Sequence, residues 1–229
     1  MRLASTAKKI FAANKALLVF FGVMMVFRSA FADWMLVPTG SMNPTIVEGD
    51  RILVNKMAYG LRIPFTMSRL TNGENPKRGD IVIFPSPKDG TTLVKRVVGL
   101  PGETVEMRDE RLMINGKSVD YSTSNVDDAD LPQATRKYRH EIVAEKLSGQ
   151  PHPIMTLPER SAARTFGPVH VPDGEYLVLG DNRDNSEDSR YIGFIPRDSI
   201  YGRAFGVAYS LDADRWYRPR FDRTLTTLR

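Results

Sequence analysis

The pattern of apolar and polar positions changes character at about residue 37. Ile10 to Phe27 is apolar apart from Asn14 and Lys15, and about 20 such residues are needed to cross a bilayer. Lys15 can run its stem along the segment and place its amine outside. The run therefore predicts a transmembrane anchor over 10–30 behind a cytoplasmic head at 1–9. Arg2, Lys8, Lys9 and Lys15 precede it and only Arg28 and Asp33 follow closely, which leaves the start inside and exports the remainder. A charged start, an apolar core and then Ala30-Phe31-Ala32 also fit a cleaved secretory signal. Arg28 at the boundary and the length of the run favour the anchor, and both alternatives export the rest.

Beyond Val37 the period is that of strands. Gly49-Asp50 before Arg51-Ile-Leu-Val54, Gly79-Asp80 before Ile81-Val-Ile-Phe84, and Gly174-Glu175 before Tyr176-Leu-Val-Leu179 each join a turn dipeptide to a β-branched or aromatic run. Val105 to Val119 alternates around Asn115-Gly116, so Leu112–Ile114 should pair with Lys117–Val119 through a tight turn. From Tyr121 to Gly167 apolar density falls and turn formers gather, as in Gly149-Gln-Pro151-His-Pro153, with Lys137–Leu147 able to hold a strand. The end, Asp212 to Arg229, mixes arginines with Trp216, Tyr217 and Phe221, which predicts a surface strap packing its rings on the core, with a solvated charged tail as the alternative and the expectation from Thr224 onward.

Composition then removes whole classes of chemistry. The chain has no cysteine, which excludes disulfides, thiolate metal sites and cysteine nucleophiles. A net charge of +5 is mild, and no stretch interleaves clustered Lys/Arg with aromatics as a nucleic-acid surface would. No nucleic-acid partner, metal or cofactor is expected.

Three stretches remain as candidate chemistry. Thr39-Gly40-Ser41-Met42-Asn43-Pro44-Thr45 is a polar turn between two apolar runs, composed as loops are, that also presents a serine. In Leu93-Val-Lys95-Arg-Val-Val98, alternation puts Lys95 with Leu93 and Val97, and Arg96 with Val94 and Val98, so one cation lies on an apolar face. A lysine so placed loses its charge readily and can act as a base, although an edge strand with an extended lysine gives the same pattern. Lys56 has a similar but weaker claim. Gly180 to Arg190, GDNRDNSEDSR, is dense in carboxylates, yet Arg183, Ser186 and Ile192 stand where a calcium loop needs a ligand, a glycine and the closing glutamate. Its carboxylates and guanidiniums can instead cross-link the loop. His140, His152 and His170 fall in the turn-rich stretch or at its exit, and no Gly-x-Ser-x-Gly elbow is present.

Thr39–Thr45, Gly49-Asp50 with Val54-Asn55-Lys56, Lys95–Glu103 and Gly180–Arg190 together resemble the successive boxes of the bacterial type I (leader) signal peptidases. The resemblance implies a mostly β, membrane-anchored catalytic domain, 31–104 with 170–229, carrying an inserted β-ribbon lobe at 105–169. It implies Ser41 as nucleophile, Lys95 as general base, and the Ser41 amide with the Thr39 hydroxyl as oxyanion hole. Ser186 would orient Lys95, and Asp181, Arg183, Asp188 and Arg190 would buttress the site. Val37, Met42, Ile46, Leu93 and Val94 would wall the substrate pockets. The partners implied are preprotein signal peptides and membrane lipid. The location implied is the bacterial cytoplasmic membrane, single-pass, with the catalytic domain outside. Thr39 departs from the serine common at that position, and the chain shows one apolar run where well-known members have two. A dedicated conjugation or pilin-maturing peptidase of the same clan would share Ser41 and Lys95. A non-enzymatic anchored β domain would leave the lysine among apolar strand residues unexplained, and a self-cleaving repressor would need a DNA-binding head.

Overall fold

The structure, a computed structural model, describes residues 14–66, 68–127, 129 and 131–228. Its strands are β1 (Ala32–Leu36), β2 (Asp50–Asn55), β3 (Ile81–Pro85), β4 (Thr92–Gly99), β5 (Thr104–Arg108), β6 (Arg111–Ile114), β7 (Lys117–Ser118), β8 (Asp120–Thr123), β9 (Glu141–Leu147), β10 (Gln150–Thr156), β11 (Phe166–His170), β12 (Glu175–Leu179), β13 (Ile195–Pro196), β14 (Gly202–Asp212), β15 (Arg218–Pro219) and β16 (Thr226–Thr227). The chain is mostly β. The principal sheet runs β1-β2-β14-β3-β4-β12-β13, with β15 and β16 added to β14; β10-β9-β8 and β11-β5-β6-β7 form two smaller sheets.

The apolar patterns explain the order. β2 alternates buried and half-buried residues, as a strand covered on one face does. In β3 the run Ile81–Phe84 is buried throughout, because Ile81 and Ile83 pack with Ile52, Val54 and Ala204 while Val82 and Phe84 pack with Val97, Tyr176 and Val178 on the other face. A strand covered on both faces in this way reads as a continuous apolar run.

The tight turn expected at Asn115-Gly116 is present, both residues having positive φ (52° and 74°) and Ile114 pairing with Lys117. The described residues of the 121–167 stretch hold more strand than their composition suggests. Ser148 and Gly149 form a second such turn (φ 49° and 83°) that folds β10 onto β9, and Pro151 and Pro153 lie inside β10. Prolines are tolerated there because β10 is the last strand of its sheet, so a missing N–H on its outer side breaks no ladder. Nor is the insert set apart from the rest. Val98, Leu177 and Leu179 of the principal sheet share one core with Val105, Met107, Leu112 and Leu147. The expected boundaries at 104/105 and 169/170 fall within β5 and β11.

The helix Lys15–Ala30 has 16 residues, about 24 Å at 1.5 Å per residue. Among the described residues no helix is long and apolar enough to cross a membrane. Leu17, Phe20, Phe21 and Val23 on it are exposed. The expected head and the first part of the expected anchor, 10–13, lie outside the described residues.

The strap at the end differs from expectation in what it packs. Trp216 is 94% exposed, and Tyr217 and Phe221 also face outward. Two of its arginines point inward instead: Arg223 pairs with buried Asp50 at 2.7 Å, and Arg220 donates to the carbonyls of Glu48 and Leu211, while Arg215 and Arg218 are exposed. A buried carboxylate requires a cation more than a covered ring requires burial. Arg223→Ala should therefore cost about 3 kcal/mol by stranding Asp50, whereas Trp216→Ser should stay within about 0.5 kcal/mol. Thermal melting of the two variants measures this, and an equal loss in Trp216→Ser would restore the packing role to the rings.

Candidate active site

Ser41 sits in a single 3-10 turn, Gly40–Met42, that directly follows β1 and the Val37 N–H bond to the Asp50 carbonyl. Met42, Ile46 and Val37 plug the turn into the core beneath Ile52 and Val54. Asn43, fully buried, donates through its side chain to Glu48 and to Thr135 of the insert. Thr39 precedes the turn in extended conformation, exposed, with its hydroxyl not engaged in capping. The serine is half-buried on a turn gripped from both sides.

Lys95 comes from β4. It is 2% exposed, and its Nζ lies 2.8 Å from Ser41 Oγ and donates to the Val94 carbonyl at 3.0 Å. Burial lowers its pKa to about 8, against the opposing charges of Asp188, Asp181 and Glu187. A neutral amine at this distance can take a hydroxyl proton. Arg96 is buried too, at 1%, because its guanidinium holds both oxygens of Asp181 at 2.8 and 2.7 Å. Alternation puts one of two adjacent cations on an apolar face; here both are inside, one desolvated and one paired.

The loop after β12 holds these parts together. Asp181 also accepts from Thr45 Oγ1. Burial alone would raise its pKa, and Arg96 and His152 bring it below the usual carboxylate range. The Asn182 N–H donates to the Ser41 carbonyl at 3.1 Å and its side-chain amide to the Gly40 carbonyl at 3.0 Å. Arg183 pairs with Glu145 on β9, and Asp188 pairs with Arg190 while accepting from the Gly180 N–H. Gly180 is needed for close approach: a Cβ there would meet Ser186 Oγ at 2.2 Å and the Ser41 carbonyl at 2.5 Å.

The model of the signal peptidase family, peptidase S26, matches residues 10–209. The chain belongs to that family. A signal peptidase I of Pseudomonas fluorescens is 38% identical over 86% of this chain and 70% of its own length. One from Pseudomonas aeruginosa is 36% identical over 81% of this chain and 67% of its own. A crystal structure of a signal peptidase I from Enterococcus faecalis is 39% identical over 57% of this chain and 97% of that one, with a TM-score of 0.35. Membership in the signal peptidase family makes the chain a serine peptidase. The matched stretch contains the Ser41 turn, Lys95 and the whole Gly180–Arg190 loop.

Most of the residues proposed from sequence meet here. Asp181, Arg183, Asp188 and Arg190 form a buried frame around Ser41 and Lys95. Ser186 does not join it as expected: among the described residues its Oγ is buried without a hydrogen-bond partner, over Gly180, and Lys95 is bonded elsewhere. The missing Cβ of Gly180 is what leaves room for the serine there. Val37, Met42, Ile46 and Val94 share one packing cluster, whereas Leu93 packs with Val82 and Phe84 in another. Lys56 is occupied by the Arg28 carbonyl and Asp33. His170 is exposed on β11, and His152 faces Glu145 and Asp181 at 3.4 and 3.9 Å. The sequence pointed to neither Asn182, Thr45 nor Glu145 as partners of the site. The first was legible only as part of the loop, and the last lies in a stretch with no apparent chemistry.

Gly180→Ala should displace the Ser41 carbonyl, and a shift of about 1 Å at a reacting group costs roughly 10²-fold in turnover. Peptidase assays beside far-ultraviolet circular dichroism measure this; unchanged turnover in the folded variant would show that the close approach is not needed.

Proposed function

We propose that the chain is a membrane-anchored endopeptidase that removes N-terminal signal peptides from exported preproteins, with Ser41 as nucleophile and Lys95 as general base. The observation that carries this reading is the 2.8 Å contact between a half-buried serine hydroxyl and a buried amine of lowered pKa. Neutral Lys95 takes the Ser41 proton as Oγ bonds to the scissile carbonyl carbon. The resulting oxyanion accepts from the Ser41 amide and the Thr39 hydroxyl. Collapse breaks the C–N bond, Lys95 returns its proton to the leaving amine, and an ester remains on Ser41. Water then attacks the ester, Lys95 accepts its proton, and the acid leaves as Ser41 is protonated again.

The substrate lies extended along the first half of β4. β12 pairs with β4 only from Arg96 to Gly99, so Thr92–Lys95 has β3 on one edge and no strand on the other among the described residues. An added strand would place its bonds to the backbone there and its alternate side chains in shallow pockets. Val37, Met42, Ile46 and Val94, with Leu93 from the adjoining cluster, wall the pockets and leave little room next to Ser41, which favours small residues one and three positions before the cut. The 105–169 segment serves as the inserted lobe of the domain formed by 31–104 and 170–229. The exposed apolar side chains of Lys15–Ala30 support a single-pass anchor in the cytoplasmic membrane, with the catalytic domain on its outer side and lipid around the helix.

Lys95→Ala should lose about 10²- to 10⁴-fold in kcat and Ser41→Ala more, and Lys95→Arg should fail as well because a guanidinium keeps its proton. Full turnover of a preprotein by Lys95→Ala would end the assignment. The base must be neutral, so kcat/KM should rise with pH through about 8. Asp188→Asn removes a charge that favours the ammonium and should move that midpoint to lower pH; a midpoint unmoved would detach Lys95 from it. A reporter with Ala before the cut should be processed and one with Phe should not, and equal cleavage would remove the pocket assignment.

A further inference from the structure

We propose that Glu145, on β9 of the insert, is a positioning residue for Ser41, acting through Arg183 and the Asp181–Arg183 turn. The inference rests on the Ser41/Lys95 reading and goes beyond it, by making the insert part of the catalytic framework.

Glu145 has no exposed surface, and three polar groups converge on its carboxylate: Arg183 Nη2 donates to Oε1 at 2.5 Å, Tyr121 OH to Oε2 at 2.6 Å, and His152 Nε2 lies 3.4 Å from Oε1. Burial opposes its ionisation, yet Arg183 and His152 bring its pKa to about 2. The insert thus holds a permanent anion inside the protein, aimed at a guanidinium that is itself 1% exposed. That guanidinium belongs to the residue after Asn182, whose amide and side chain hold the Ser41 and Gly40 carbonyls.

The backbone is fastened from the same side. Met155 N–H donates to the Asp181 carbonyl and Arg183 N–H to the Met155 carbonyl, each at 2.8 Å. Thr45 and Asn43, on the serine's own turn, bond to Pro153 and Thr135 of the insert. Without the Glu145 charge, Arg183 is left buried and uncompensated. Asp181, the carboxylate beside it in the turn, is already taken by Arg96 and Thr45. Arg183 must then move, and Asn182 moves with it.

The charges that act on Lys95 are those of Asp188, Asp181, Glu187 and Arg190, and Glu145 is not among the dominant ones. A positioning role therefore predicts lost turnover at an unmoved pH midpoint. The test is Glu145→Gln in the full chain, assayed on a preprotein, with Ser41→Ala as control. The expected result is a fall in kcat of tenfold or more, KM within twofold, the same pH midpoint, and a melting temperature above that of the assay. In an Arg183→Gln background the further loss should shrink below twofold, since the two residues act as one unit. An unchanged kcat, losses that add, or a loss that vanishes when rates are referred to the folded fraction would each overturn the proposal. Should Glu145→Gln not fold, Tyr121→Phe decides, with lowered kcat at constant KM supporting it and wild-type kcat overturning it. Full turnover by Ser41→Ala would instead sink the Ser41/Lys95 reading itself, while an inert Ser41→Ala beside an unaffected Glu145→Gln would sink only this inference.

Discussion

An uncharged amine next to a hydroxyl is the condition on which the site depends, and only burial supplies it here. In water the lysine side chain has a pKa of about 10.4 and is almost wholly protonated near neutrality. At 2% exposure on β4, Lys95 is poorly solvated as an ammonium, and its pKa falls to about 8. That burial needs β3, which pairs with β4 at Lys95, and the Ser41 turn set against the amine. The principal sheet is therefore part of the chemistry as well as its support.

The same burial creates a second demand. Arg96, Glu145, Asp181, Arg183, Asp188 and Arg190 all have side chains withdrawn from solvent, and isolated charges there would cost several kcal/mol each. They are arranged so that each carboxylate faces a guanidinium: Asp181 with Arg96, Glu145 with Arg183, Asp188 with Arg190. Because these pairs join β4, β9 and the loop after β12, meeting the demand also fastens the principal sheet to the insert. The insert is structurally continuous with the rest for this reason as much as for the shared core of Leu147 with Leu177 and Leu179.

What the chain reveals by itself follows from how far apart the interacting residues lie. The strand starts at Gly49-Asp50 and Gly79-Asp80 and the Asn115-Gly116 turn depend on neighbours and were readable. So was the presentation of Ser41, since the turn formers around it are contiguous. Arg96 and Asp181 lie 85 residues apart and Arg183 and Glu145 lie 38 apart, and no periodicity connects them. β10 was missed because Pro151 and Pro153 signal a turn unless the strand is known to be an edge. The strap's rings were misplaced because the acceptors that draw Arg220 and Arg223 inward, Glu48, Leu211 and Asp50, are brought there only by the fold.

Pairing the carboxylates has a consequence for the lysine as well as for the frame. Asp188 and Asp181 both favour the ammonium form of Lys95, and two such anions left unpaired in a low-dielectric site would hold it charged. Arg190 opposes them directly, and Arg96 engages both oxygens of Asp181. The arginines thus reconcile two requirements that would otherwise conflict. The loop can be cross-linked by strong charge-assisted bonds, and the amine beside it can still lose its proton because burial outweighs carboxylates that Arg190 partly offsets. A frame of carboxylates alone would repel itself and hold the base charged, and a frame of neutral groups would leave the base free and the turn beneath Ser41 less firmly held.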